Sequence, residues 1–348
     1  MSSRIIEFLR NRNDFVSGEE ISKFIGITRA GIWKKVNTLR QKGYLIEAVP
    51  SKGYRLLSSP DVPTKEEIRA VFKGDIIGRE VYFYDVIAST NEKAMQIGLG
   101  EPAGVQRFHQ GKKQRKKMIE GTVVIADAQE QGRGRFGRNW ISPPRVNLYF
   151  TVLFEPFFSP KEASILTLMA AVAVVSAIRD YVGLNAVIKW PNDILIRDKK
   201  VGGILTEMKS DLDRVNFVAV GIGINVNMPL SKFPKDVRSF ASSLKEEKGK
   251  SVDRVELLGV ILAKLEYWYK SLLKGKRKAL LNEWLNLNST TGNRVKVKSH
   301  NRTISGVAEG VGDDGELVLR LSSGAVEKVY AGEVTVFKGR DQGSGPRD

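Results

Sequence analysis

The stretch GRGRFGRNW, from Gly132 to Trp140, carries three arginines and three glycines within its first seven residues and ends on an aromatic side chain. A flexible segment of this composition binds nucleic acid without sequence preference, whereas a rigid loop holds an anion. The runs TVVIADAQ and NLYFTVLF, which flank the stretch, have the apolar character of core strands. A loop fixed at both ends can be rigid, and its glycines then let the backbone turn. The flanking strands therefore favour an anion-binding loop, because guanidinium forks match phosphate oxygens.

The composition of the chain narrows its class. Its 348 residues suggest two or three domains, and the net charge of +17 favours a polyanionic partner over a merely basic surface. The absence of cysteine excludes disulfides and thiolate chemistry, and two histidines make a zinc site improbable. The most apolar run, Ile165–Ile178, is shorter than a membrane span and predicts a buried helix. The first residues lack the apolar core of a signal peptide, so we expect a cytoplasmic protein without a membrane segment.

The first 58 residues have the pattern of a winged helix-turn-helix. Ser17 followed by Glu20 is a capping box that starts one helix. Gly26 ends that helix, and Thr28 caps a second helix with a basic face. Two short apolar runs around Pro50 then predict a β-hairpin. The second helix of such a module enters the DNA major groove. A helical bundle for protein contacts is the alternative. We predict DNA contacts from Ser17, Thr28, Arg29, Lys34, Lys35 and Lys52.

The rest of the chain divides into two further folded regions. Residues 58–64 carry two prolines and three Ser or Thr and predict a linker. Strand-like runs then alternate with long helical runs to about residue 287, which indicates an α/β (α+β) core. Residues 290–338 contain no long helix and predict a small five-stranded β-barrel. We therefore expect domains at 1–60, 67–287 and 290–338, followed by a disordered tail at 339–348.

Two further motifs in the central region carry chemistry. In KWPND, Pro191 and Asn192 predict a turn directly after a strand, so Lys189 and Asp193 flank the mouth of a loop. A lysine there could stabilise a phosphoryl or acyl transition state, and the aspartate could hold Mg²⁺ through water. In KVGGILTE, two glycines at a strand start would admit a ligand, although such a pattern is weak by itself.

Taken together, these motifs resemble those of the biotin protein ligases, and specifically the bifunctional ligase/repressors that carry an N-terminal winged helix. The resemblance spans nearly the whole chain and is most specific in GRGRxGR and KWPND. Its residues are STN at Ser89–Asn91, QEQGRGRFGRNW at Gln129–Trp140, KWPND at Lys189–Asp193, KVGGILTE at Lys200–Glu207, GIGIN at Gly221–Asn225, TRA at Thr28 and SKGYRL at Ser51.

The resemblance implies a class II synthetase-like catalytic domain, an SH3-like C-terminal barrel and a two-step reaction. Biotin and ATP would give biotinyl-5′-AMP, and a lysine of a biotin carboxyl carrier protein would then take the biotin. It also implies Mg²⁺ as cofactor, a DNA operator with biotinyl-5′-AMP as co-repressor, and a homodimer of the loaded protein.

The resemblance further assigns roles to individual residues. For catalysis it implies Lys189, Arg133 and Arg135. For biotin binding it implies Ser89, Thr90, Asn91, Gln129, Arg133, Gly134, Arg135, Lys189, Gly202 and Gly203. For ATP binding it implies Gly132, Arg138, Trp140, Asn192, Asp193 and Asn225. One departure from the family is a basic insertion at 101–120, which by composition is expected to be solvated.

Three other functions fit parts of the same pattern. Lipoyl ligases run parallel chemistry but generally lack the winged helix and GRGRxGR. A ligand-sensing repressor without ligase activity has no need of the transition-state groups Lys189 and the arginine loop. An RNA-binding protein would use the basic surface alone. Pyrophosphate release with ATP and biotin distinguishes a biotin protein ligase from all three alternatives.

Overall fold

The N-terminal part is a three-helix unit with a hairpin, as the caps predict. A computed structural model describes residues 2–12, 14–100, 119–156, 159–211, 214–299 and 302–337. Ser17 accepts from the amide of Glu20 in a capping box, Thr28 accepts from the amide of Gly31, and Gly26 ends its helix at φ 80°. The elements are α1 Ser2–Arg10, α2 Gly18–Ile25, α3 Arg29–Gln41, β1 Leu45–Val49 and β2 Gly53–Ser58.

The central part is built on one seven-stranded sheet. Its elements are α4 Lys65–Val71, β3 Val81–Ile87, α5 Thr90–Gly98, β4 Val123–Gln129, β5 Leu148–Phe154, α6 Ser164–Ala177, β6 Val187–Lys189, β7 Asp193–Ile196, β8 Lys199–Asp211, β9 Arg214–Ile224, α7 Leu244–Lys248, α8 Arg254–Leu273 and α9 Arg277–Leu287. The strand order is β3-β4-β5-β9-β8-β7-β6, and β3–β4 is the one parallel pair in this sheet of described strands. The sheet is mostly antiparallel. Strands β6 to β9 follow one another along the chain with few residues between them, whereas parallel neighbours need long crossovers.

The buried helix predicted from the run Ile165–Ile178 is confirmed in α6. It packs against α8 and the sheet, and Ile165 and Val174 are fully buried. With the π-helical turn Ile178–Val182, the segment Ser164–Val182 is long and apolar enough to cross a membrane, but 72% of its most apolar window is buried inside the protein. The apolar surface of this helix is therefore accounted for by the core.

The C-terminal part is a five-stranded antiparallel sheet in the order β13-β12-β11-β10-β14. Alternate residues of β10, Val295 and Val297, are fully buried, whereas Lys296 faces solvent. The predicted strand number is confirmed. The predicted closed barrel is not found, because no ladder joins β13 to β14 within residues 302–337. The strands are β10 Arg294–Ser299, β11 Arg302–Val311, β12 Leu317–Arg320, β13 Val326–Val329 and β14 Glu333–Phe337.

Buried polar contacts join the winged-helix part to the central part. Glu67 of α4 is 1% exposed, and it accepts from Arg10 at 2.6 Å and from the Tyr44 hydroxyl at 2.5 Å. In the linker, Asp61 pairs with the buried Arg254 at the start of α8.

The predicted domain boundaries stay predictions. The tail at 339–348 and nearly all of the basic insertion lie outside the described residues.

Candidate active site

A cleft of about 770 Å³ opens between the arginine loop, the turn at 190–193, strands β8 and β9, and the start of β14. It brings together nearly all of the residues that the sequence nominated for ligand binding. Ser89, Thr90, Gln129 and Lys189 all line it, as does the loop itself. A cavity of this size holds a ligand of drug or nucleotide size.

The arginine loop is folded, which agrees with the anion-binding interpretation. The amide of Gly134 donates to the carbonyl of Arg138 at 2.7 Å, and the amide of Trp140 donates to the carbonyl of Gly132 at 2.8 Å. Phe136 and Gly137 take positive φ values of 57° and 71°, so the loop reverses direction in one 3₁₀ turn. The backbone bonds fix where the three guanidinium groups emerge.

Each arginine of the loop has a partner within the protein. Arg133 pairs with Glu92 at 3.0 Å, and Arg138 pairs with both carboxylate oxygens of Glu333 at 2.7 Å. Arg135 donates to the side-chain oxygen of Asn192 at 3.0 Å. Burial lowers the pKa of Arg135, and a guanidinium stays protonated in proteins. The hydrogen bond from Arg138 lowers the pKa of Glu333, which favours its charged form.

The cleft also contains a neutral polar network. Gln129 accepts at its Oε1 from the amide and the hydroxyl of Thr90, at 2.8 and 3.1 Å, and donates from Nε2 to the Ser142 hydroxyl at 2.9 Å. Ser89 caps α5 by accepting from the amide of Glu92 at 3.5 Å. The sequence analysis missed Ser142, which also donates to the carbonyl of Trp140 and so joins this network to the arginine loop.

Asn91 serves the fold of this end of the cleft. Its Oδ1 accepts from Thr151 at 2.7 Å, and its Nδ2 donates to Glu207 at 2.8 Å and to the carbonyl of Leu205. These bonds fasten α5 to the sheet, although Asn91 also borders the cleft. A side chain at Gly221 would overlap the amide of Asn91, so this glycine is required for close approach.

The turn at 190–193 brings a second set of polar groups to the cleft. Lys189 lies half-buried at the end of β6, and its charge, after that of Arg138, lowers the pKa of Glu333. Asp193 forms an ion pair with Lys200, a cleft residue that the sequence analysis missed. The Nζ of Lys200 also lies 5.6 Å from the centre of the Trp140 ring. Asn192 donates to the carbonyl of Ile204 at 2.8 Å.

The glycines of the site divide into two groups. Gly134 and Gly203 line the cleft, and a Cβ on Gly203 would lie 3.4 Å from the Trp140 ring. Gly132 and Gly202 do not line it: a Cβ on Gly202 would face Ile194 at 3.3 Å. Their ligand contacts stay predictions. Asn225 borders the cleft but is 5% exposed and donates to the carbonyl of Ser242.

Sequence comparison agrees with this geometry. The chain is 35% identical to the bifunctional ligase/repressor BirA of Bacillus subtilis over 94% of this chain and 95% of that one. It belongs to the bifunctional biotin ligase/repressor family. BirA of Escherichia coli is 27% identical over 96% of each chain. A model of the Biotin/lipoate A/B protein ligase family matches residues 105–227, an HTH domain matches 2–55, and the Biotin protein ligase C terminal domain matches 290–336.

Structural comparison finds a biotin protein ligase of similar fold. The biotin protein ligase of Aquifex aeolicus, solved in complex with biotin and ATP, superposes with a TM-score of 0.60 at 26% identity. The match covers 75% of this chain and 100% of that one.

In the winged helix, four of the residues predicted to contact DNA are exposed or half-buried, and the other two cap helices. Arg29 and Lys34 are exposed on α3, Lys35 is half-buried beside them, and Lys52 is exposed at the tip of the hairpin. The side chains of Ser17 and Thr28 instead cap α2 and α3. Arg29 also pairs with Glu19 at 2.7 Å.

Proposed function

We propose that this chain is an ATP-dependent biotin protein ligase that also represses transcription. Its substrates are biotin, Mg–ATP and a lysine on a biotin carboxyl carrier protein. The observation that carries the ligase part is the mixed lining of the cleft. Neutral hydrogen-bonding groups around Gln129 and a group of cations that includes Arg135 and Lys189 line the same cleft.

The neutral groups suit the ureido ring of biotin. That ring is polar and uncharged, so it needs short hydrogen-bonding groups and no counter-charge. Ser89, Thr90 and Gln129 supply such groups, and Ser142 and Thr151 hold them in position. The carboxylate of biotin would then extend toward the arginine loop.

The cationic groups suit the first chemical step. A carboxylate oxygen of biotin attacks the α-phosphorus of ATP, the bond to pyrophosphate breaks, and biotinyl-5′-AMP forms. Both reactants are anions, so Arg133, Arg135 and Lys189 would offset their repulsion and stabilise the charge that develops. Arg138 would contact the phosphates in exchange for its bond to Glu333.

Magnesium enters this proposal only as part of the ATP substrate. Residues 2–12, 14–100, 119–156, 159–211, 214–299 and 302–337 contain no cluster of three or more His, Asp or Glu that could hold a metal. Asp193 is paired with Lys200. These residues do not fit a metal site built by the protein alone, so a water-mediated contact from Asp193 to Mg–ATP stays a prediction.

In the second step, the amine of a carrier lysine attacks the carbonyl of the mixed anhydride. AMP leaves with the electron pair of the broken bond, and the amine loses a proton. The anhydride must be protected from water until then. The arginine loop borders the same cleft, and we propose that it covers the adenylate.

The repressor part of the proposal follows from the basic face of α3. Biotinyl-5′-AMP would be the co-repressor, and the loaded chain would form a homodimer on a DNA operator in the cytoplasm. Sedimentation of the protein with and without biotin and ATP tests the dimer.

Pyrophosphate release with ATP and biotin tests the ligase. We expect release that depends on biotin and not on lipoate, followed by transfer to an added carrier domain. A chain that binds biotin without releasing pyrophosphate would be a sensor. Release with lipoate alone would indicate a lipoyl ligase, and neither activity together with RNA binding would contradict the proposal.

A further inference from the structure

The exposed face of α3 carries an apolar patch in its first two turns. Trp33 is 57% exposed, and Ala30, three residues before it on the same face, is exposed too. The buried face of the helix is formed by Ile32, Val36 and Leu39, each at most 1% exposed. The indole is therefore not needed by the core of the winged helix.

The positive charge around this patch indicates a polyanionic partner. Helix α3 contains Arg29, Lys34, Lys35 and Arg40 and no acidic residue. An aromatic ring inside a purely basic helix face complements a polyanion that presents apolar groups between its charges. Double-stranded DNA has this arrangement, with phosphates along the groove edges and base edges at the floor.

Three polar groups near the patch have partners within the protein. Arg29 pairs with Glu19 at 2.7 Å, the hydroxyl of Thr28 accepts from the amide of Gly31 at 3.2 Å, and Thr38 donates to the carbonyl of Lys34 at 3.0 Å. The N-terminal turns of a recognition helix contact base edges. In this chain those turns expose Ala30 and Trp33 beside Arg29 and Lys34.

We propose that Trp33, with Ala30 beside it on the same helix face, reads a thymine in each half-site of the operator. The C5-methyl of thymine is the apolar group that base edges present in the major groove, and small or aromatic side chains contact it. This inference rests on the proposed repressor function. It makes Trp33 a specificity residue, whereas Lys34 and Lys35 would contribute affinity through phosphates.

The test begins with selection from random duplexes long enough for two half-sites, using the full chain with biotin and ATP. Each thymine of the enriched duplex is then replaced by deoxyuridine, which removes one methyl group. We expect at least one replacement per half-site to weaken wild-type binding roughly fourfold, the effect of one buried methyl. Trp33→Ala should bind the thymine and uracil duplexes equally, with an unchanged salt dependence because no charge is lost.

Three matched variants sharpen the result. Trp33→Phe should retain the preference for thymine. Lys34→Ala should lower the salt slope by about one unit without changing that preference. Tyr267→Ala, at a 61% exposed aromatic on α8, should change neither.

The outcomes separate this inference from the function on which it rests. A wild-type chain that releases pyrophosphate but enriches no duplex contradicts the repressor role and the inference together. Enrichment without any thymine preference, or a preference that survives in Trp33→Ala, overturns the inference alone. A change of sedimentation in Trp33→Ala would show that the patch is a contact between copies of the chain, which also overturns it.

Discussion

Arginine–carboxylate pairs occur in two contrasting environments in this chain. At the cleft, Arg133–Glu92 and Arg138–Glu333 are half-exposed, with side chains 50% and 39%, and 64% and 46%, accessible. At the start of α8, Arg254 is 1% exposed. It donates to Asp127 and to the carbonyl of Asn147, at 3.0 and 3.1 Å, and to Asp61 from the linker.

The difference in burial separates exchangeable arginines from fixed ones. A half-exposed pair contributes about 1 kcal/mol or less, so a ligand anion can replace its carboxylate at little cost. A buried guanidinium whose partner is lost stays without compensation, and the protein loses several kcal/mol. The arginine loop can therefore change partners during a reaction, whereas Arg254 holds the linker and two strands together.

The buried pair should give the largest effect on stability. Arg254→Met is expected to lower the free energy of unfolding by roughly 3–5 kcal/mol, because Asp127 stays buried without a counter-charge. Chemical denaturation measures the loss, and Arg254→Met with Asp127→Asn should recover part of it. Arg320→Met, which breaks the exposed pair with Glu309, is the control. Equal stability of the two single variants would contradict the distinction.

A substitution in the cleft should change the rate of pyrophosphate release and leave the free energy of unfolding unchanged. Lys189→Ala is expected to slow pyrophosphate release by about 10²–10³, the usual cost of one lost transition-state charge. Its unfolding midpoint should match that of Lys209→Ala, which removes an exposed lysine elsewhere on the same sheet. A variant with normal turnover would refute the catalytic role of Lys189.

The exchange of partners at the loop should be visible in a titration. Arg138 lowers the pKa of Glu333, so this pair stabilises the fold at neutral pH and the contribution is lost as the pH falls through that lowered value. Carboxyl NMR should show the pKa of Glu333 rising toward its ordinary value in Arg138→Ala. Addition of pyrophosphate to the wild type should raise it in the same direction if the anion takes Arg138. No change on addition would mean that the pair is fixed.

The smallest effect is expected at Glu92. Glu92→Gln should change the free energy of unfolding by less than about 1 kcal/mol, since its pair with Arg133 is exposed. Calorimetry should show equal or tighter binding of pyrophosphate, because Arg133 loses an internal competitor. A stability loss as large as that of Arg254→Met would place this pair among the fixed ones.

Local sequence patterns predict much of the fold. The caps at Ser17 and Thr28 and the strands flanking the arginine loop were predictable because each depends on neighbours in the sequence. Strand β7 is not predicted, because it directly follows the Pro191–Asn192 turn and its first residue, Asp193, is assigned to the mouth of a loop. The long, mostly apolar helix α6 was easier, since its composition alone indicates burial.

Partners across the chain were not predictable in the same way. Arg138 and Glu333 are 195 residues apart, and Arg254 and Asp127 are 127 apart. No periodicity or spacing connects such residues, so the sequence could nominate the arginines but not the carboxylates that hold them. Ser142 and Lys200 were missed for a related reason, because their roles appear only when the loop is folded over the sheet.

The tie between the linker and α8 has a practical consequence for dissecting the molecule. A catalytic fragment that begins at Thr64 would leave out Asp61, which accepts from both the backbone amide and the guanidinium of Arg254. That fragment would expose one side of a buried cation and would also lose the Arg10 and Tyr44 partners of Glu67. Truncation at Thr64 therefore removes contacts that stabilise the catalytic part. A fragment that begins at Asp61 retains the contacts to Arg254 and should be more stable to unfolding.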